Sequence, residues 1–187
     1  AKEVATLDAM SGGRVELGVG IGWLKEEFAA LGVPWERRTA RTEEYVDVMR
    51  TLWSADDVSY DGEFVQFAHL SSNPKPAAGT VPIHIGGHSE GAARRAGRIG
   101  DGFYPAKGDT AALIELCRRT AEDHGRDPDA VEITAGHAGI FGEDPVAAVE
   151  EAASWGVHRL VVPSFLHWRD PETSMSAFGE AVIAPTA

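Results

Sequence analysis

The segment Ile83-His84-Ile85-Gly86-Gly87-His88-Ser89 ends an apolar run with two glycines and leads directly into Glu90-Gly91-Ala92-Ala93. A helix beginning there offers unpaired backbone N–H groups, a hydroxyl and a flexible approach, the composition of an anion or phosphate site. Glu90 works against this, because its carboxylate competes with a phosphate for the same end of the helix dipole. The plainer alternative is that Ser89 only caps the helix and the glycines only turn the chain. A second glycine group, Gly18-Val19-Gly20-Ile21-Gly22-Trp23, also follows a β-like run. It fails the G-x-G-x-x-G dinucleotide spacing, since the third glycine position falls on Trp23 from Gly18 and on Lys25 from Gly20. Two readings stay open for it: a flat ring system against bare backbone with Trp23 as a wall, or a strand end that lets a neighbour come close.

Other candidates carry less chemistry. Asp101, between Gly100 and Gly102, suits a helix end or a loop better than catalysis. The seven histidines show no H-x-H or H-E-x-x-H spacing, and one cysteine excludes a thiolate cluster, so no metal site is expected. Neither a G-x-S-x-G elbow nor a P-loop occurs.

The elements that must position these residues alternate. Ala1–Met10 reads as the tail of a helix closed by Ser11-Gly12-Gly13, and Arg14–Gly20 as a strand. The span Thr39–Trp53 has helical spacing of Tyr45, Met49, Leu52 and Trp53, with Thr39 or Thr42 as N-cap. Val58–Phe67 reads as a hairpin turning tightly at Asp61-Gly62, followed by a proline-rich connection over Asn73–Gly79. Strands over Val81–Ile85, Gly102–Pro105, Val131–Ala138 and Val157–Pro163 then alternate with helices over Ser89–Ile99, Asp109–His124, Pro145–Trp155 and Pro171–Ile183. Such alternation implies βαβ crossovers and a parallel α/β sheet, either open and doubly wound or part of a barrel. In both, ligands sit at the carboxyl ends of strands, where both glycine groups fall.

With 17 Lys and Arg against 29 Asp and Glu, the net charge is −12. That opposes nucleic-acid binding and attraction to an anionic membrane. No apolar run approaches the roughly 18 residues of a membrane span. Cys117, on a helix face with Leu113 and Leu116, is expected as a buried thiol in a cytoplasmic protein.

Taken in order, Ala5 to Arg14, Leu17 to Trp23, Glu27-Phe28, Leu31-Gly32, Arg38, Glu44-Tyr45, Leu52-Trp53, Asp61-Gly62 and Pro74-Lys75-Pro76 form a pattern. Pro82 to Gly87, Arg95-Ala96 and Gly100 to Phe103 continue it. The whole resembles the luciferase-like monooxygenase superfamily, and within it the coenzyme F420-dependent oxidoreductases. The resemblance is close from Ala5 to about Pro105 and fades afterwards to βα periodicity. It implies one domain over residues 1–187, the C-terminal five-eighths of a (β/α)8 TIM-type barrel with a β-hairpin insertion, the first three βα units being missing. It implies that Gly86, Gly87, His88 and Ser89 hold a cofactor phosphate. Gly20, Ile21 and Gly22 would border the ring system, Trp23 would face the pocket, and Arg41 would be a second phosphate contact. The implied reaction is hydride transfer to or from F420 on a small organic substrate, with the protein supplying binding, orientation and exclusion of water. No proton donor is implied, because Trp23 stands where some deazaflavin relatives carry an acid. Alternatives are an FMN-dependent monooxygenase, a phosphate-handling barrel of another class, and a non-catalytic barrel fragment. An incomplete barrel would leave two-sided apolar strands at its edges, so a homodimer or a dependence on the missing N-terminal segment is expected.

Overall fold

The computed structural model describes residues 1–105 and 107–186, and the chain divides into two compact units, Ala1–Ile85 and the part from Gly86 onward. Each mixes strands with helices as expected, with a parallel strand pair and an antiparallel hairpin in the first and parallel pairs in the second.

In the first unit, helix α1 (Lys2–Ser11) ends on Gly12 in the left-handed region, φ 72°. Gly13 N–H returns to Asp8 O at 2.9 Å, so the glycine pair closes the helix as its spacing predicts. The Asp8 side chain is 2% exposed and accepts from the backbone N–H of Val15 (3.3 Å) and of Ala77 (2.8 Å). One buried carboxylate thus ties the helix end to the start of the strand and to the proline-rich connection. Strand β1 (Leu17–Val19) is shorter than its apolar run and lies parallel to β4 (Ile83–Gly86), with Leu17, Gly18 and Val19 opposite Ile83, His84 and Ile85. A short helix α2 (Lys25–Ala30), which the sequence did not announce, sits between β1 and α3 (Arg38–Ser54). Neither threonine caps α3. Its N-cap is Arg37 at φ 57°, and Thr42 Oγ1 donates instead to Arg38 O at 2.9 Å. The core of the unit gathers Ala5, Val46, Trp53, Val81, Ile83 and Ile85.

The hairpin forms, but its turn differs from the expected tight one. Strands β2 (Val58–Asp61) and β3 (Gln66–Leu70) pair antiparallel with Asp61 opposite Gln66, leaving Gly62–Val65 as a four-residue loop. The reason lies in α3. The Glu44 carboxylate accepts from the N–H groups of Glu63 (3.0 Å), Phe64 (2.7 Å) and Val65 (2.7 Å) and holds the loop open around itself. An intrinsic Asp-Gly preference of a few tenths of a kcal/mol is outweighed by three charge-assisted bonds, each about 1.5–3 kcal/mol.

In the second unit, β5 (Gly102–Tyr104), β6 (Glu132–Ala135) and β7 (Arg159–Leu160) run parallel, with Phe103 opposite Ile133 and Ala135 opposite Leu160. Between and after them come α4 (Glu90–Ile99), α5 (Thr110–Asp123), α6 (Pro145–Ser154) and α7 (Pro171–Phe178). Each starts on a side chain that accepts from the third backbone N–H beyond it: Ser89, Asp109, Asp144 and Asp170. Helix α4 presses on α5 through Gly97, where a Cβ would sit 2.3 Å from Cys117 O, so only glycine allows this approach. Strand β7 covers two residues of the expected seven. Helix α7 loosens into a π-type turn over Gly179–Ile183 rather than continuing as regular helix. Among the described residues, no helix is long and apolar enough to cross a membrane.

Candidate functional site

Strand β4 supplies three consecutive buried residues, Ile83, His84 and Ile85, so its inward packing is fixed before the chain reaches the glycines. Gly86 and Gly87 are half-buried, while His88 and Ser89 are exposed. Gly87 adopts φ 145°, donates its N–H to Tyr104 O at 3.1 Å, and would place a Cβ 2.6 Å from Ala92 Cβ. The first turn of α4 is therefore packed directly against the turn backbone, and no side chain fits between them. Ser89 Oγ accepts from Ala92 N–H at 3.2 Å. That cap satisfies one of the orphan donors of the helix start and leaves the N–H groups of Glu90 and Gly91 without an intrahelical acceptor. The Glu90 carboxylate lies 3.4 Å from Arg94 Nη2, one turn along the helix, which draws it toward the helix flank. The donors and the exposed Ser89 form an anion-receptive end, and the backbone at Gly87 is too tightly held to be part of its donor set.

The glycines after β1 form a second turn. Val19 stands opposite Ile85, so β1 and β4 end side by side. Gly20 is exposed, with nothing within 4 Å of the place a Cβ would take. Gly22 has φ 75°, and its Cβ position is filled by the Phe28 ring at 2.5 Å; that ring meets Trp35 edge-on at 5.1 Å. Ile21 is half-buried between these two glycines, and Trp23 is 83% exposed. Bare backbone and a broad indole are thus presented on one short segment.

Arg41, the second phosphate contact that the resemblance implied, is engaged by the protein itself. It is 8% exposed, donates from Nη1 to Pro34 O (2.6 Å) and from Nη2 to Glu36 O (3.1 Å), and lies over the Phe64 ring at 5.1 Å. Its fork is occupied in holding the loop ahead of α3, which is why an arginine can be buried there. The signal for this was a cation at the first inward position of an amphipathic helix, which reads equally well as ligand or clamp.

His84, His137 and His158 have structural partners. His84 Nε2 lies 3.5 Å from a Glu16 carboxylate oxygen, and His158 Nδ1 accepts from Ile133 N–H at 3.0 Å. His137 Nδ1 accepts from Gly139 N–H at 3.1 Å while its ring packs on Trp155 at 5.1 Å. Cys117 is fully buried, as its helix face predicts, and burial pushes its thiol up to about 11 despite the opposing charges of Arg126 and Arg118. Such a thiol is a packing group and not a nucleophile. Loss of hydration and a 2.8 Å bond to Asp47 push the Tyr60 phenol up to about 12.

A profile of the family described as luciferase-like monooxygenase matches residues 1–178. An FMNH2-dependent dimethylsulfone monooxygenase of Pseudomonas putida is 37% identical over 190 aligned residues, which cover 97% of this chain and 48% of that protein. Among solved structures, the coenzyme F420-dependent tetrahydromethanopterin reductase of Methanopyrus kandleri superimposes with a TM-score of 0.78 at 18% identity, covering 98% of this chain and 78% of that one. An F420-dependent secondary alcohol dehydrogenase, solved with an F420–acetone adduct, gives a TM-score of 0.64 at 30% identity over 73% of this chain and 43% of that one. The chain spans less than half the length of the curated relatives it matches.

Proposed function

Because the chain belongs to the luciferase-like monooxygenase family, we propose that it is the cofactor-holding part of an oxidoreductase that moves a hydride to or from coenzyme F420 on a small organic substrate. The observation that carries this reading is the turn after β4. Its glycine backbone is wedged against α4 at Ala92, its serine caps that helix, and the next two N–H groups are left for an anion. A phosphate there would be held by Glu90 and Gly91 N–H and by the exposed Ser89 hydroxyl, with His88 beside it. The open backbone at Gly20, followed by Ile21 and Gly22, would border a flat ring, and the exposed Trp23 would cover it. The bound cofactor supplies the hydride chemistry; the chain's own residues bind it, orient it and keep water from its face. The chain is read as taking only part of the whole enzyme's length.

A second reading is FMN as the cofactor. The 37% identity to an FMNH2-dependent enzyme, which extends over nearly the whole chain, favours it. Fluorescence titration of the protein with F420 and with FMN separates the two: tighter F420 binding supports the first reading, and tighter FMN binding replaces it with the second. Gly91→Asp tests the phosphate turn itself. Position 91 has room for a side chain, with only Ser89 Oγ near, at 3.8 Å. An acid in the first turn also suits the helix dipole, so the fold should be kept. A carboxylate beside the phosphate should weaken either cofactor at least about tenfold, about 1.4 kcal/mol. Unchanged affinity with unchanged circular dichroism rejects the site.

A further inference from the structure

The first turn of α4 offers an anion a short and countable set of donors. Gly87 N–H is spent on Tyr104 O (3.1 Å), Ala92 N–H on Ser89 O (2.9 Å) and Oγ (3.2 Å), and Ala93 N–H on Ser89 O (3.0 Å). What remains is the N–H of Glu90, the N–H of Gly91 and the proton of the Ser89 hydroxyl, whose oxygen already accepts. These three donors can serve the two unesterified oxygens of a phosphodiester. A phosphomonoester brings a third such oxygen and, above its second ionisation at about pH 6, a second negative charge.

The charges around this end are set against that second charge. A helix start carries the equivalent of about half a positive charge. Glu90 places a full carboxylate in the same turn. The hollow beside it is lined by His88, Glu90 and Arg94 together with Asp109 and Arg119 of α5. Each guanidinium stands one helical turn from a carboxylate, Arg94 Nη2 3.4 Å from Glu90 and Arg119 Nη1 3.5 Å from Glu115. Asp109 caps α5 through Oδ1, which accepts from Ala112 N–H at 3.0 Å. Two carboxylates in the lining thus face two guanidiniums that are already engaged.

We infer that this end of α4 selects a singly charged phosphodiester over a doubly charged phosphomonoester, and that Glu90 is the residue that sets the difference. The inference rests on the cofactor-turn reading above and sharpens it, because coenzyme F420 carries its phosphate as a diester and FMN as a monoester. The Glu90 side chain is 76% exposed, so water screens its charge and the selection is modest. A unit negative charge about 6 Å from that carboxylate through water loses about threefold in affinity, and a second charge loses about threefold again.

The test holds the ring system constant and changes only the phosphate. The protein is titrated by flavin fluorescence with FMN, with the methyl ester of FMN, whose phosphate is a diester, and with riboflavin. At about pH 8 the methyl ester should bind at least about threefold more tightly than FMN, and riboflavin more weakly than either. Toward about pH 5.5 the FMN phosphate gains a proton, so FMN should strengthen and the gap should close. The closing should persist in His88→Gln, which assigns it to the phosphate and not to the imidazole. Glu90→Gln, at an exposed position where glutamine serves a helix as well as glutamate, should at about pH 8 strengthen FMN about threefold more than the ester. FMN bound as tightly as the ester at that pH, a ratio unchanged in Glu90→Gln, or a gap that stays open on acidification of His88→Gln would overturn the selection and leave the cofactor turn standing. Riboflavin bound as tightly as both phosphates, or no binding of any of the three, would remove the cofactor turn and the selection together.

Discussion

Replacing Gly87 by alanine isolates the contact on which the turn after β4, the proposed cofactor turn, is built. The backbone there has φ 145°, a conformation that costs a non-glycine residue about 1–3 kcal/mol. The added methyl would sit 2.6 Å from Ala92 Cβ, about 1 Å inside normal carbon contact, and such overpacking costs a further 1–3 kcal/mol, roughly. Alanine also restricts the unfolded chain, which offsets about 0.4–1 kcal/mol. The balance is a destabilisation of about 2–4 kcal/mol, read by urea unfolding, or a fall in Tm of roughly 5–15 °C for a chain of this size. Pairing the substitution with Ala92→Gly separates the two causes. The glycine removes the methyl that would be struck, at its own helix cost of about 1 kcal/mol, and leaves the backbone strain in place. Gly87→Ala should then cost about 1–3 kcal/mol less in the Ala92→Gly background than alone. A single-mutant effect below about 0.5 kcal/mol, within the range of ordinary surface changes, would refute the steric account. Absence of coupling would leave only the backbone term.

The remaining expectations concern groups that organise the two units. Glu44→Ala strips three backbone N–H groups of their acceptor and should cost about 2–4 kcal/mol in denaturant unfolding, with Glu44→Gln in between; an effect under about 0.5 kcal/mol would mean that the loop holds itself. Asp8→Ala removes the buried carboxylate that accepts from the N–H groups of half-buried Val15 and exposed Ala77 and should cost about 1–3 kcal/mol, whereas Asp8→Asn, still an acceptor, should cost about half. Cys117 is raised from 9.0 to about 11, so the folded state holds the thiol proton more tightly than the unfolded one. Its contribution is fully present below pH 9 and is lost as pH rises toward 11, about 3 kcal/mol in all. The pH slope of stability between 9 and 11 should be shallower in Cys117→Ala, and equal slopes would contradict the assignment. Thiol reagents at neutral pH should label Cys117 only on unfolding.

Local grammar carried much of this protein. Gly12-Gly13 closes a helix as its spacing suggests, and the helix starts read at Ser89, Asp109, Pro145 and Pro171 fall where Ser89, Asp109, Asp144 and Asp170 cap helices in the structure. Alternation of strands and helices pointed to the parallel α/β class, and the motifs from Ala5 to Phe103, taken together and in order, pointed to the family. These features are legible because each depends on residues within a turn or two of one another.

The decisions left to the tertiary structure depend on partners far apart in the chain. Arg41 reads as a helix-start cation, yet the carbonyls of Pro34 and Glu36 and the Phe64 ring make it a buried clamp. Asp61-Gly62 signals a tight turn, yet the Glu44 carboxylate, 19 to 21 residues away, draws in three N–H groups and widens it. The Gly86-Gly87 pair announced flexibility, whereas the structure makes Gly87 a wedge with its N–H already given to Tyr104. The apolar run Val157–Pro163 predicts a long strand, but only Arg159 and Leu160 pair, and the chain beyond them turns toward α7 and leaves apolar side chains around a hollow. Propensity is a preference of tenths of a kcal/mol per residue, and a charged group that meets two or three donors or acceptors at about 3 Å outweighs it. The sequence names the group but not the distant atoms it will reach.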